Sequence, residues 1–153
     1  MGKRCGVVLG LALFFLFVPF ALAQQKGASV ERSLFDAVNH ERRQQGLPAL
    51  EWNEALAGAA RKHAELMARQ GSLSHQFPGE PSLAARVKQV GVSFSWLAEN
   101  IAQGASASDI HEQFMKSPNH RANILDSEMN IAGIGVAQAD GKWFAVEDFS
   151  KAK

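Results

Sequence analysis

The chain has 153 residues, with 16 Lys and Arg against 15 Asp and Glu and a formal net charge of +1. This length fits one domain. The balanced charge argues against a general nucleic-acid binder, because phosphate binding needs a concentrated positive field.

Residues 1–23 have the pattern of a secretory signal peptide. Lys3 and Arg4 form a basic start, an apolar run follows, and Ala21 and Ala23 are the small residues that a signal peptidase reads. We expect cleavage after Ala23 and a secreted or periplasmic mature protein. The apolar run is short for a membrane span, so we expect no span after cleavage; an uncleaved anchor is the alternative.

Cleavage would remove the only cysteine, Cys5, together with two positive charges. The mature chain of 130 residues would then have a net charge of −1 and no disulfide. A cysteine nucleophile and a cysteine zinc site are excluded for it. Its stability would have to come from its core alone.

The mature part divides into a polar lead-in, residues 24–28, and one domain, residues 29–153. The domain begins with two amphipathic helices. In the first, apolar residues recur every four positions before a stop at Gly46. The second is capped by Asn53 and ends at Gly71.

The middle of the domain contains shorter elements. A short helix is predicted over residues 82–90, and a strand or extended segment over residues 96–102. Ser106, with an acidic residue three positions later, starts another helix. Ser117 can cap the last helix, and Pro118 suits its first position.

The C-terminal part changes to a strand pattern. Residues 131–138 and 142–149 flank Asp140 and Gly141, and Asp-Gly between two such runs predicts a β-hairpin. Both runs are apolar on both faces, so both faces must be covered. The simplest arrangement is an α+β fold, an α-β-α sandwich with a small antiparallel sheet between helix layers.

Six motifs between Leu34 and Phe149 resemble those of one family. In chain order they are residues 39–52, 56–67, 73–75 (LSH), 98–102 (AENIA), 114–125 (FMKSPNHRANIL) and 134–136 (IGV). Together they resemble the CAP (SCP) superfamily, in its short, cysteine-free bacterial form. The resemblance implies an α-β-α sandwich. It also implies a cleft built around two histidines and two acidic residues, which holds a divalent metal in some members.

Three residues of this chain match that cleft. His75 matches the first histidine, Glu99 the glutamate of the Glu-Asn-Ile-Ala motif, and His120 the second histidine. The second glutamate is missing from the pattern. Longer members have it three residues after an aromatic, whereas three residues after Phe114 this chain has Ser117.

The resemblance makes His75 and His120 candidate ligands of zinc or another divalent metal. Two neutral imidazoles and a carboxylate suit zinc, with open positions left for water. The alternative is structural, because histidines in loops and at helix starts often bind only backbone groups. No other cofactor is implied.

Other candidate residues have simpler interpretations. His63 lies in the apolar stripe of its helix and is predicted to be a hydrogen-bonded core histidine, whereas His40 and His111 are expected to be solvated. Gly133 and Gly135 do not belong to a phosphate loop, because the helix and lysine of such a loop are missing. They are expected to allow close packing of a helix on a strand.

Two functions from different classes stay open. The first is an exported, non-catalytic binding module whose cleft takes an envelope, lipid or other small ligand. The second is a divalent-metal-dependent hydrolase, such as a peptidase, with Glu99 as the catalytic base. The lack of an activated nucleophile and the incomplete acidic set favour binding. The sequence identifies neither the ligand nor the oligomeric state.

Overall fold

The computed structural model describes residues 18–153, so residues 1–17 of the predicted signal peptide lie outside the described part. The helices are α1 Val18–Gln44, α2 Glu54–Gln70, α3 Leu83–Gln89, α4 Ala107–Lys116 and α5 Pro118–Ile124. The strands are β1 Glu51–Trp52, β2 Phe94–Gly104, β3 Ile131–Ala139 and β4 Lys142–Ala152. None of the described helices is long and apolar enough to cross a membrane.

Helix α1 begins earlier than the sequence pattern predicts. It includes residues 24–28, which were expected as a lead-in before the domain. Gln, Lys and Ala are good helix formers, and the single Gly27 among them does not break the helix. The expected cleavage position after Ala23 falls within α1, and cleavage stays a prediction.

Capping residues explain where the other helices begin. The side chains of Asn53 and Ser106 each accept a hydrogen bond from the backbone N–H three residues on, at 2.9 and 3.2 Å. Ser117 makes no such bond, contrary to expectation. It also ends α4, where its backbone N–H donates to the last turn, and Pro118 at the first position starts α5.

The sheet has the strand order β1-β3-β4-β2, so β2 forms one edge. Strands β3 and β4 form the predicted hairpin. Its turn places Asp140 at φ 49° and Gly141 at φ 74°, the two left-handed residues that a tight hairpin turn requires. Strand β2 is antiparallel to β4, but the two-residue strand β1 runs parallel to β3. The sheet is therefore not wholly antiparallel.

Helices cover both faces of the sheet, as the two-sided apolar strands require. One core cluster joins α1, α4 and α5 to one face through residues such as Leu34, Phe114 and Phe149. Two smaller clusters join α2 and α3 to the other face through residues such as Met67 and Val87. The predicted α-β-α sandwich is confirmed.

Two glycines let α2 lie directly on β3. A Cβ atom built on Gly133 would lie 2.2 Å from the backbone nitrogen of Ala57, and one built on Gly135 would lie 2.0 Å from that of Arg61. A Cβ atom cannot approach backbone so closely, so only glycine fits at both positions. The expected close packing of a helix on a strand is confirmed.

A buried arginine ties α1 to the segment that follows α5. Arg42 is fully buried. Its Nε donates to the carbonyl of Pro48 at 2.9 Å. Its Nη atoms donate to the carbonyls of Ile124, Asp126 and Met129 at 2.9, 2.8 and 3.2 Å. These bonds fix the end of α5, the helix that carries one of the predicted site histidines.

Arg42→Lys is expected to lower the free energy of unfolding by about 2 kcal/mol, because lysine lacks the planar fork of donors and leaves carbonyl groups unpaired. Urea denaturation measures the difference. Arg43→Lys is the matched control, since Arg43 is the neighbouring exposed arginine. That control should change stability by no more than about 0.5 kcal/mol. Equally small effects of both changes would contradict the anchoring role.

Candidate functional site

The three predicted site residues come from three different elements. His75 lies in the loop after α2, Glu99 in β2, and His120 in α5. Because β2 is an edge strand, both helix layers can reach it. Glu99 faces the α2 and α3 layer, as does Ile101 two residues on, whereas Asn100 faces α5. The candidate cleft therefore lies along this edge of the sheet.

His75 is held by a buried carboxylate. Its Nδ1 lies 2.8 Å from Glu99 Oε1. The side chain of His75 is 60% exposed, whereas that of Glu99 is 3% exposed. The hydrogen bond to Glu99 raises the pKa of His75 above its usual value. The imidazole is thus fixed at one nitrogen and presents the other, Nε2, at the surface.

Glu99 also binds a buried arginine that the sequence pattern did not predict. Arg86 Nη2 donates to Glu99 Oε2 at 2.5 Å, and Arg86 Nη1 donates to Glu80 Oε1 at 3.2 Å. Both oxygens of Glu99 therefore have partners. A signal was available, because Arg86 lies three residues after Leu83 on α3, a spacing that places both on the inward face.

Two further acids lie buried in β4. Asp148 pairs in register with Glu99, and Glu147 with Asn100. Burial raises the pKa of Glu147 to about 8. Burial, and then the charge of Glu99, raises the pKa of Asp148 well above its ordinary value. Their sequence signal is a pair of acids that interrupts an otherwise apolar strand.

His120 reaches the same edge from the other helix layer. Its ring packs edge-on against Phe114, with the centroids 5.2 Å apart. Its backbone carbonyl accepts a hydrogen bond from Asn100 Nδ2 at 3.1 Å. Burial, and then the charge of His75, lowers the pKa of His120. The two histidines therefore interact electrostatically, and His75 is the more basic of the two rings.

The donor set does not fit a zinc site with three protein ligands. From Val18 onward, no three His, Cys, Asp or Glu side chains are grouped so that they could hold a metal ion. Glu99 does not add a third ligand to the two histidines, because both of its oxygens contact other side chains. Arg86 brings a positive charge to one oxygen of Glu99, and His75 contacts the other. Of the three predicted site residues, His75 and His120 then remain as donors for a metal.

His63 holds the loop that carries His75. It is buried, with Nδ1 2.6 Å from Glu80 Oε1 and Nε2 2.8 Å from the carbonyl oxygen of Ser74. The predicted role as a hydrogen-bonded core histidine is confirmed. Because Glu80 also accepts from Arg86, the loop and the buried charges form one connected network.

The two remaining histidines differ from each other. His40 is exposed, as expected. His111 was expected to be solvated, but its side chain is only 14% exposed and lies 3.7 Å from Glu41. The cause is the packing of α4 against α1, which covers one side of the imidazole. This burial lowers the pKa of His111.

A pocket of about 650 Å³ lies away from this edge. It is bounded by α1, α2, β3 and the start of β4. It contains the pair formed by Glu31 and Arg61, whose charged atoms are 2.8 Å apart. None of the three predicted site residues lines it. This pocket and the candidate cleft are separate features of the molecule.

An α-β-α sandwich with a histidine, a glutamate and a second histidine at the edge strand defines the class of protein, a domain of the SCP fold. Residues 35–149 match the CAP, Cysteine-rich secretory protein family, and the chain belongs to this family. The matched region contains His75, Glu99 and His120. The predicted family is confirmed.

Several known proteins are similar to this chain. An extracellular protein containing an SCP domain from Bacillus anthracis str. Ames has a TM-score of 0.79 at 26% identity, over 84% of this chain and 42% of that chain. An outer surface protein from Borrelia burgdorferi has a TM-score of 0.74 at 20% identity, over 80% of this chain and 92% of that chain. The uncharacterized protein YkwD of Bacillus subtilis (strain 168) is 30% identical over 117 residues, 76% of this chain and 46% of the relative. The chain thus spans less than half the length of YkwD and of the Bacillus anthracis protein.

Proposed function

We propose that this chain is an exported, non-catalytic binding module whose cleft at His75, Glu99 and His120 takes an envelope, lipid or other small ligand. One observation carries the proposal: His75 is 60% exposed, yet a carboxylate that is only 3% exposed fixes its Nδ1. A polar group held rigidly at the surface is suited to orient a ligand. The names of two similar proteins, one extracellular and one an outer surface protein, support an exported location.

The same geometry argues against Glu99 as a catalytic base. A general base needs an oxygen that is free to take a proton from water or substrate. Glu99 Oε1 contacts His75, and Glu99 Oε2 accepts from Arg86. Both oxygens of Glu99 are therefore engaged, and the side chain is only 3% exposed to water or substrate, so we favour binding over the metal-dependent hydrolase.

The charge on His75 indicates which chemical group the cleft prefers. Because its pKa is raised, His75 keeps the imidazolium form, which is protonated on both ring nitrogens, to a higher pH than an unperturbed histidine does. Since Glu99 accepts from Nδ1, the proton on Nε2 is left to donate to a ligand. An anionic group, such as the phosphate of an envelope lipid headgroup, is complementary to this donor. The less basic ring of His120 supplies further polar nitrogen atoms at the same edge.

The protein is expected to bind phosphatidylglycerol vesicles more tightly at about pH 5.5 than at about pH 8.5, because the ring of His75 loses its charge as the pH rises through its raised pKa. His75→Gln should weaken binding at the lower pH by about five- to tenfold and remove the pH dependence. Calorimetric titration measures both effects. His40→Gln is the matched control, because His40 is an exposed histidine on α1.

Two results would contradict this proposal. Vesicle binding that depends neither on His75 nor on pH would exclude the proposed ligand chemistry. The hydrolase alternative makes its own prediction, namely zinc binding that is lost in His75→Ala/His120→Ala and hydrolysis that Glu99→Gln abolishes. Finding both of these would replace the binding module with a metal-dependent hydrolase.

A further inference from the structure

Trp96, near the start of β2, leaves a large aromatic ring at the surface. This residue is 57% exposed, whereas Trp143 is 9% exposed. The third tryptophan, Trp52, packs edge-on against Phe35 with the ring centroids 5.3 Å apart. An exposed indole does not contribute the hydrophobic free energy that its burial in the core would provide. Tryptophan is also enriched at the surfaces where proteins bind their partners. Trp96 is therefore a candidate contact residue for a ligand.

Polar side chains surround this ring. Trp96 lines a pocket of about 420 Å³ together with Ser95, Asp126, Glu128 and Lys151. The pocket joins the start of β2, the end of β4 and the segment between α5 and β3. Polar groups from three parts of the fold thus converge beside one aromatic ring, a combination that is typical of ligand sites.

The pocket residues are held in place by the protein itself. Trp96 and Lys151 are cross-strand partners, and the Ser95 hydroxyl donates to the backbone carbonyl of Lys151 at 3.3 Å. The Lys151 ammonium pairs with Glu128 Oε2. Asp126 Oδ1 accepts from the backbone N–H of Glu128 at 2.9 Å. Each carboxylate keeps a second oxygen with which it can accept a hydrogen bond from a ligand.

We propose that this pocket binds a neutral pyranose ring of a glycan. The C–H bonds on the flat face of a sugar have partial positive charge, which complements the negative face of an indole. The sugar hydroxyls match the acceptors on Asp126 and Glu128 and the donor on Lys151. Two carboxylates against one ammonium also oppose an anionic lipid surface, so the charge of the pocket favours a sugar over a membrane.

This glycan pocket is separate from the candidate cleft. Trp96 lies three residues before Glu99 on β2, a distance of roughly 10 Å along a strand. None of the five residues that line the pocket belongs to the cleft. The inference therefore does not rest on the proposed function, and it would stand if His75 and His120 bound no ligand.

Calorimetric titration of the full chain with three neutral sugars tests the proposal: the tetramer of N-acetylglucosamine, cellotetraose and maltotetraose. At least one of them is expected to bind. Trp96→Ala should weaken that binding by about tenfold or more, and Trp96→Phe by less, because phenylalanine keeps an aromatic face. Glu128→Gln should also weaken it. Glu112→Gln should not, although Glu112 is likewise exposed and paired with a lysine, at 2.6 Å.

Trp96 and Glu128 are both exposed, so these variants should keep the far-ultraviolet circular dichroism spectrum of the parent. Failure of all three sugars to bind would overturn the proposal, as would binding that Trp96→Ala leaves unchanged. Anionic vesicles that bind through Trp96 when no sugar does would assign the ring to a membrane and overturn it too. The His75→Ala/His120→Ala variant should retain sugar binding, and its loss there would refute a separate site.

Discussion

Gly135→Ala is expected to prevent the native fold from forming. A methyl group at this position would lie 2.0 Å from Arg61 N and 2.3 Å from Ala60 C, which belong to the backbone of α2 and cannot rotate away. This steric clash can be relieved only if α2 moves away from the sheet. We expect the free energy of unfolding to fall by about 4 kcal/mol or more, a large part of the stability of a domain of this size. Urea denaturation followed by circular dichroism measures the loss.

Gly58→Ala is the matched control for this change, because Gly58 lies on α2, the helix whose backbone Gly135 contacts. No atom lies within 4 Å of the place its Cβ would occupy. Alanine is also the better helix former, by up to about 1 kcal/mol. The control protein should therefore be as stable as the parent or slightly more stable. A Gly135→Ala protein with parental stability would mean that the contact between α2 and β3 is not close-packed.

Glu147→Gln is expected to stabilise the protein at neutral and alkaline pH and to leave it nearly unchanged near about pH 4. Glu147 is fully buried, and its pKa is raised from 4.5 to about 8. Between pH 4.5 and about 8, the carboxyl group of Glu147 is ionised in the unfolded chain but protonated in the folded chain. The free energy of unfolding therefore falls as the pH rises through this range. The fall reaches roughly 4 kcal/mol by about pH 8, and glutamine removes it because it cannot ionise.

This effect makes the difference in unfolding free energy between the Glu147→Gln variant and the parent change with pH. Urea denaturation of the two proteins at about pH 4, 6 and 8 measures it. Glu65→Gln, at an exposed position on α2, is the matched control and should give a small difference that does not change with pH. A pH-independent difference for Glu147→Gln as well would show that the buried carboxyl is not protonated in the folded state.

The layer architecture could be predicted because it depends on local patterns. Two runs that are apolar on both faces, joined by Asp140 and Gly141, predict a covered hairpin, and both the turn and the covering helices are present. The caps at Asn53 and Ser106 are local as well. The parallel pair that joins Glu51 to Ile131 could not be predicted, because a two-residue strand has no periodicity.

The candidate site was predictable only in part, for the same reason. The motifs identify His75, Glu99 and His120. They do not identify Arg86, which binds Glu99, or Asp148, which lies opposite it in the sheet. Those contacts depend on the register of β2 against β4 and on where α3 rests, and neither is determined within one stretch of sequence. The motifs thus identify His75, Glu99 and His120, and the fold brings further buried charges beside them.

The order of the strands also determines when the protein can fold. Among the strands of residues 18–153, only β3 and β4 are neighbours both along the chain and in the sheet. Strands β1 and β2 pair with members of that hairpin that lie far from them in the sequence. A nascent chain therefore cannot assemble its sheet until residues 131–152 have been synthesised. Contacts between residues far apart in the sequence slow folding, because the entropy cost of closing the long loops comes before the stabilising contacts can form. The cleft needs β2 in register with β4, so it can form only after the segment of β4 has been synthesised.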